Sequence, residues 1–157
     1  MDSTNPTERL SAIQNFLRLS DDLATSGQPF ADQLEWIAQA GFQTVINLSS
    51  PAAWDYLPDE GERVAALGLE YVPIPVDWTQ PAQEDLDAFF EALDRRAGRR
   101  VYVHCARNMR VSAFVFLYRV LRTGMPVELA QADLLRIWIP EDIWLEFIQE
   151  RVTGFPL

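Results

Sequence analysis

Short β-branched runs alternate with longer helix-like segments along most of the chain, and no other feature restricts the possible folds as strongly. TVINLSS (44–50) and RRVYVHC (99–105) are typical of buried strands. FADQLEWIAQAG (30–41) and PDEGERVAALG (58–68) carry helix signals, and each ends at a glycine. Strands that alternate with helices form mostly parallel sheets. We therefore predict an α/β fold with a mostly parallel central sheet flanked by helices.

The remaining segments extend this pattern. The segment 15–29 is predicted to hold an edge strand, and 70–78 a strand whose two prolines suit an edge or a strand end. A helix is predicted over 81–98, where acidic residues come first and arginines last, as the helix dipole favours. From Arg110 onward, Pro and Gly separate three helical segments. The C-terminal part is therefore expected to be helical.

The chain of 157 residues has no repeat, linker or long polar tract, which predicts a single domain over 1–157. Residues 1–14 are expected to form a flexible or helical N-terminal extension. The start of the chain lacks the basic and apolar regions of a signal peptide, and no apolar run suits a membrane span. We expect a soluble cytoplasmic protein with no membrane partner, and the sequence leaves the oligomeric state open.

The formal charge is −10, and the chain contains arginine but no lysine. A protein that binds nucleic acid is expected to present a basic face, so nucleic acid is excluded as a partner. An acidic protein also repels anionic substrates at long range. Any anion site in this chain must therefore be local and strong.

The single cysteine lies in VYVHCARNMRVSAF (101–114), between a predicted strand and a predicted helix. Ligands of parallel sheets bind at the carboxyl ends of the strands, where Cys105 falls. The amides of a tight loop entering a helix form an anion cradle, which together with Arg110 stabilises a thiolate. This pattern predicts a nucleophile beside an arginine that binds an oxyanion. Taken alone, Cys105 also fits a small buried apolar residue.

The segment HCARNMR resembles the signature loop of cysteine-dependent tyrosine phosphatases and dual-specificity phosphatases. LATSGQP, TVINLSS, GLEYVPIPV and VYVHCARNMRVSAF resemble segments of the bacterial tyrosine-phosphatase-like family, whose domain also occurs in beta-lactamase-hydrolase-like fusion proteins. The resemblance runs from Asn15 to the region of Trp138. It implies a cysteine-phosphatase-like fold and hydrolysis of phosphate monoesters, with phosphotyrosine as one candidate, through a phosphocysteine intermediate.

The resemblance also implies a role for each residue of the loop. Cys105 is the nucleophile, Arg110 and the backbone amides hold the phosphate oxygens, and His104 and Ser112 support the loop. The substrate is a phosphorylated protein or small molecule. No organic cofactor is required, and no metal is expected, because one histidine and one cysteine do not make a zinc site. The residues of the phosphate-binding loop are Ala106, Arg107, Asn108, Met109 and Arg110.

The loop departs from the common phosphatase pattern in three ways. Four residues, and not five, separate Cys105 from Arg110, a spacing that the bacterial family often shows. Asn108 stands where a glycine is usual, and asparagine tolerates a left-handed backbone. Val111 occupies the place of the serine or threonine that supports the leaving thiolate, with Ser112 one position later. These departures bear on the turnover rate more than on phosphate binding.

Cleavage of a phosphate ester needs a proton for the leaving oxygen. The resemblance places the general acid after the strand that precedes the long helix, and IPVDWTQP offers Asp77 there. An aspartate in this position is also typical of a turn or a helix cap. Asp85 and Asp87 lie inside the following helix and are weaker candidates.

Two further groups of side chains have two interpretations each. Arg107 is expected either to contact a second anionic group of the substrate or to form a surface salt bridge. Trp54, Tyr56 and Trp78 are expected either to line a cleft for an aromatic substrate or to pack, partly buried, against the protein.

Two alternative functions remain open from the sequence. The missing glycine and the displaced serine fit a catalytically weak or inactive phosphate-binding module. A rhodanese-like sulfurtransferase also uses a loop cysteine with an arginine at this spacing, and it needs no general acid. The histidine-cysteine pair and Asp77 favour the phosphatase.

Overall fold

A five-stranded sheet lies at the centre of the computed structural model, which describes residues 5–157. The strands are β1 (Leu17–Arg18), β2 (Leu23–Ser26), β3 (Thr44–Asn47), β4 (Glu70–Pro73) and β5 (Val101–His104). Their order across the sheet is β1-β2-β5-β3-β4, and every neighbouring pair is parallel except β1 and β2. The predicted mostly parallel sheet is confirmed.

Helices flank the sheet, and the chain after β5 is helical as predicted. Among the described residues they are α1 (Pro6–Arg9), a 3₁₀ turn (Leu10–Ala12), α2 (Gln33–Gln39), α3 (Glu60–Ala66), α4 (Gln83–Asp94), α5 (Met109–Leu121), α6 (Val127–Ile137) and α7 (Asp142–Gln149). Within residues 5–157, none of them combines the length and the apolar character that crossing a membrane would need.

The central strand β5 separates two hydrophobic cores, because successive side chains of a strand point to opposite faces. Val101 and Val103 pack in the core that α4, α5, α6 and α7 cover. Tyr102 packs in the other core, with residues of α2, α3 and the N-terminal turn. All residues of β3 and β5 are buried. The predicted burial of these two strands on both faces is therefore confirmed.

Part of the predicted N-terminal extension is helical and packed. Leu10 and Ile13 are fully buried in the same core as Tyr102. Residues 1–4 of the predicted extension lie outside the described residues. The chain is thus joined to the core from Leu10 onward.

The segment 15–29 holds two strands, where the sequence predicted an edge strand. β1 forms the sheet edge and pairs antiparallel with β2, which runs parallel to β5. Ser26, the last residue of β2, pairs with His104, the last residue of β5. The turn after Ser26 therefore lies beside the loop that contains Cys105.

The opposite edge is β4, whose prolines predicted an edge or a strand end. The strand ends at Pro73, and the amides of Ile74 and Val76 continue the hydrogen bonding to the end of β3. Because β4, β3 and β5 are parallel, the chain that follows brings Asp77 to the same end of the sheet as Cys105.

Candidate active site

Cys105 directly follows β5 and lies at the bottom of a cleft of about 180 Å³. The residue is 1% exposed, so only a group that enters the cleft reaches the thiol. We call this the thiol cleft. Its lining residues are Trp78, Cys105, Ala106, Arg107, Met109 and Arg110.

The first three carbonyls of the loop are all bonded to the surrounding protein. In a planar trans peptide the N–H points away from the carbonyl, so the amides of Ala106, Arg107 and Asn108 point away from those partners. This arrangement is suited to an anion cradle of backbone amides. The three contacts are His104 Nδ1 to Cys105 O (3.2 Å), Gln28 N to Ala106 O (3.0 Å) and Asn15 Nδ2 to Arg107 O (2.9 Å).

The turn after β2 approaches this loop so closely that it requires a glycine. A Cβ atom on Gly27 would lie 2.7 Å from the carbonyl oxygen of Ala106 and 2.8 Å from the side chain of Gln14. Gly27 also forms an isolated antiparallel bridge with Arg107. The turn and the loop are therefore held against each other backbone to backbone.

Asn108 has a left-handed backbone, with φ of 67°, at the residue before α5. The sequence placed asparagine there as a replacement for glycine, and the backbone angle agrees. Its buried side chain does more than tolerate the angle: Nδ2 donates to Asn15 O (2.8 Å) and to Thr25 Oγ1 (3.0 Å). These bonds tie the loop to the residue two positions before β1 and to β2, which a glycine would not do.

Arg110 lies in the first turn of α5 and is 6% exposed. Its Nη1 donates to the carbonyl of Val76 at 2.8 Å. The guanidinium thus lines the thiol cleft while it is anchored to the residue before Asp77. The fork has further donors, and an oxyanion in the cleft is the group that they suit.

Asp77 is exposed near the cleft, and its carboxylate is held in a turn. Oδ1 accepts hydrogen bonds from the amide and the hydroxyl of Thr79, both at 2.8 Å. These bonds, the hydroxyl first, lower the pKa of Asp77, to which the charge of Arg110 adds a smaller effect. Asp77 therefore lies at the same end of the sheet as Cys105, in the turn that the sequence offered as the alternative to a general acid.

The two weaker acid candidates lie in α4. The pKa of Asp85 is raised, first by burial and then by the negative charges of Glu84 and Asp77. Asp87 accepts a hydrogen bond from Gln83 Nε2 at 2.8 Å. The effect of Asp77 on Asp85 shows that the two carboxylates are close enough to interact.

A buried polar network lies behind the loop, and the sequence analysis did not predict it. His104 Nε2 lies 2.5 Å from Glu60 Oε2, and Glu60 Oε1 accepts a hydrogen bond from Gln28 Nε2 at 2.8 Å. Burial acts to raise the pKa of Glu60, but the charge of His104 and hydrogen bonds from His104 and Gln28 lower it on balance. The only signal was an acidic residue at the start of a predicted helix, and such residues are usually solvated.

Val111 and Ser112 occupy different surroundings. Val111 is fully buried in the core, whereas Ser112 Oγ donates to the carbonyl of Met109 at 2.9 Å. The same hydroxyl accepts a hydrogen bond from Trp138 Nε1 at 3.0 Å. Ser112 thus braces the C-terminal side of the loop, and it links the loop to the end of α6.

The structure separates the side chains for which the sequence left two interpretations, Arg107 and the three aromatic residues. Arg107 is exposed, lines the thiol cleft, and forms no ion pair with another residue of the range 5–157. Trp78 lines the cleft and is 43% exposed. Trp54 is 85% exposed. Among the described residues that line the thiol cleft, neither Trp54 nor Tyr56 is found. Of the three aromatic candidates, Trp78 alone borders this cleft.

A family of phosphatases described as "DSP-PTPase phosphatase fused to NAD+ Kinase" has a model that matches residues 11–137. The match includes the loop from Cys105 to Arg110 and also Asp77. The chain belongs to this family. Membership in the DSP-PTPase family supports a phosphatase-type function for the site described above.

Several known proteins resemble the chain in sequence or in structure. A beta-lactamase hydrolase-like protein from Xylella fastidiosa is 32% identical over 106 residues, which are 66% of this chain and only 24% of that protein. A solved DUF442 candidate phosphatase from Shewanella putrefaciens CN-32 is 38% identical, with a TM-score of 0.82 over 91% of this chain and 94% of that one. Tk-PTP in its active form has the same fold at 21% identity, with a TM-score of 0.68 over 88% and 98% of the two chains. The resemblance and the cysteine-phosphatase-like fold are confirmed.

Proposed function

We propose that the chain is a cysteine-dependent phosphatase that hydrolyses phosphate monoesters through a phosphocysteine intermediate. The observation that carries this proposal is the loop from Cys105 to Arg110. Its thiol lies at the bottom of a cleft, its first carbonyls are bonded behind the loop, and its arginine is anchored beside the thiol. Aryl monoesters such as phosphotyrosine are the substrates of first choice, because Trp78 borders the cleft.

The proposed reaction has two displacements at phosphorus. The Cys105 thiolate attacks phosphorus, the S–P bond forms, and the bond from phosphorus to the ester oxygen breaks. Arg110 and the loop amides bind the non-bridging oxygens throughout. Asp77 gives its proton to the leaving oxygen, and as a carboxylate it then takes a proton from water. That water attacks the phosphocysteine, which releases inorganic phosphate and restores the thiolate.

The deciding experiment is hydrolysis of 4-nitrophenyl phosphate by the purified protein, with and without orthovanadate, beside Cys105→Ser. We expect turnover that vanadate inhibits and that is lost in Cys105→Ser, while inorganic phosphate still binds to the variant. Equal rates for the wild type and Cys105→Ser would refute the proposed nucleophile.

A second candidate function is a phosphate-binding module with little turnover. Two observations favour it: Val111 offers no hydroxyl to the thiolate, and Asp77 is bonded within its own turn. In this case inorganic phosphate binds at the loop, and no ester is hydrolysed between pH 5 and 8. Release of inorganic phosphate from 4-nitrophenyl phosphate therefore separates the two functions.

A further inference from the structure

A second cleft, of about 360 Å³, opens beside the thiol cleft. We call it the tryptophan cleft, and its walls include Trp78, Met109, Trp138, Glu141, Asp142 and Ile143. Trp78 and Met109 line both clefts, so the two clefts are adjacent. A phosphate ester seated at Cys105 therefore has Trp78 and the second cleft beside its organic group.

The aromatic wall of the tryptophan cleft is held in place by hydrogen bonds. The ring centroids of Trp78 and Trp138 are 5.5 Å apart, and Trp144 stacks on Trp78 at the same distance. Trp144 Nε1 donates to the carbonyl of Trp78 at 2.8 Å, and Trp138 Nε1 donates to Ser112 Oγ. Trp78 is nevertheless 43% exposed. The result is a partly exposed indole on a preorganised support, and preorganisation lowers the entropy lost on binding.

The lining of the tryptophan cleft includes two acidic residues. Glu141 and Asp142 are both exposed, and neither forms an ion pair within the part of the chain that the structure describes. They stand at the start of α7, where acidic side chains also stabilise a helix. The thiol cleft is positive at Arg107 and Arg110. The two adjacent clefts therefore carry opposite charges, on a chain with a net charge of −10.

We propose that the tryptophan cleft is a leaving-group subsite that binds an aromatic ring carrying a positive charge. The proposal rests on the proposed function, since it assigns the phosphate to the Cys105 loop. Trp78 stacks on the ring, and Glu141 and Asp142 attract the cation, which indole faces also attract. The preferred substrates are thus aryl phosphates with a cationic substituent, and polyanionic esters are disfavoured. The cation belongs either to a small aryl amine or to a basic residue beside a phosphotyrosine.

The test uses three para-substituted phenyl phosphates with closely similar leaving groups. O-phosphotyramine carries an ammonium group, 4-ethylphenyl phosphate is uncharged at that place, and 3-(4-phosphooxyphenyl)propionate carries a carboxylate. Their affinities are measured by ligand-observed NMR on Cys105→Ser, with inorganic phosphate as the reference ligand, so that the result does not depend on turnover. We expect the cationic ester to bind about fivefold more tightly than the neutral ester at low salt, which is the upper range for an exposed ion pair. The difference should shrink as salt is added.

The decisive variant is Glu141→Gln with Asp142→Asn, because asparagine tolerates the positive φ of 50° at this position. In this variant we expect the affinity ratio of cationic to anionic ester to fall toward one. Glu8→Gln with Glu35→Gln is the matched control, because it changes the net charge equally at exposed residues of α1 and α2. The control should keep the wild-type ratio. If the wild type shows a charge preference, an equal ratio in both double variants would overturn the proposal.

Two further arms complete the test. Trp78→Leu should weaken the three esters about fivefold, by loss of aromatic contact, and leave inorganic phosphate unchanged. Phosphotyrosine peptides with Arg or Glu beside the phosphotyrosine show whether the cation belongs to a peptide. A charge preference in either the small esters or the peptides supports the subsite and identifies its source, and no preference in both refutes it. If inorganic phosphate itself does not bind, the proposed function fails first, and this result is distinct from a flat series of esters.

Discussion

Glu60 and His104 form a contact of 2.5 Å between a carboxylate oxygen and an imidazole nitrogen, and neither side chain is exposed to solvent. The other imidazole nitrogen faces the carbonyl of Cys105. The pair thus connects the start of α3 to the first peptide of the proposed phosphate loop. Because buried charges are costly unless they are paired, a change at Glu60 should be felt in both stability and loop geometry.

Glu60→Gln should lower the free energy of unfolding by about 3 kcal/mol, the usual loss when one partner of a buried pair is removed. The ordinary pKa of the carboxyl is 4.5, and folding lowers the pKa of Glu60. Its contribution to stability is therefore complete above pH 4.5 and is lost as the pH falls through the lower value in the folded state. Urea unfolding of the wild type and the variant from pH 3 to 7 measures this difference.

Glu62→Gln is the matched control for that experiment, because Glu62 is an exposed residue of the same helix. It should leave the stability curve close to that of the wild type. A difference between Glu60→Gln and the wild type that is independent of pH would show that the charge of Glu60 does not matter.

Asp77→Asn should reduce turnover about 100-fold for esters with poor leaving groups, such as 4-ethylphenyl phosphate, since such an oxygen cannot leave without a proton. The activated ester 4-nitrophenyl phosphate should be affected far less. Asp85→Asn is the control within the same region and should retain most of the activity for both esters. If Asp85→Asn, and not Asp77→Asn, loses activity for 4-ethylphenyl phosphate, the general acid is Asp85, whose raised pKa keeps its carboxyl protonated to higher pH.

Thr79→Val should shift the descending alkaline limb of the pH–rate profile to higher pH. The Thr79 hydroxyl stabilises the ionised carboxylate, so its removal raises the pKa of Asp77. A general acid acts only while it is protonated, and a higher pKa keeps Asp77 protonated over a wider range. The profile of kcat for 4-ethylphenyl phosphate provides the measurement. In the Asp77→Asn background the threonine change should have no effect on this limb, and an effect there would exclude Asp77 as its origin.

Asn108 can be tested with two substitutions that separate its backbone from its side chain. Asn108→Gly keeps the left-handed angle and loses the bonds to Asn15 and Thr25, which should cost about 2 kcal/mol. Asn108→Ala loses the same bonds and adds about 1 kcal/mol of backbone strain. Thermal unfolding should therefore rank the wild type above glycine and glycine above alanine. If alanine equals glycine, the left-handed angle is not a constraint on this loop.

Much of the architecture was predictable, because the apolar runs that form β3 and β5 are short, lie between helical segments and are typical of buried central strands. Cys105, Arg110 and Asn108 were also predictable, since the functional residues of a short loop between a strand and a helix lie close together in the sequence. The tethers from Asn15, Gln28 and Glu60 were not. They reach the loop from distant parts of the chain, and nothing in the sequence around them distinguishes a buried partner from an ordinary turn or helix start. The strand β2 was missed as an interior strand for the same reason, because its place depends on the two-residue edge strand that covers it.

The loop of the proposed nucleophile is bonded to residues as far as 93 positions earlier in the chain, through Asn15. Asn15 lies just before the edge strand β1, which is only two residues long. Short edge elements open more readily than a central sheet does. Peeling of this edge should therefore release the loop and expose Cys105 while the rest of the sheet is intact, so the rate at which iodoacetamide alkylates the thiol measures how often the segment 15–18 opens.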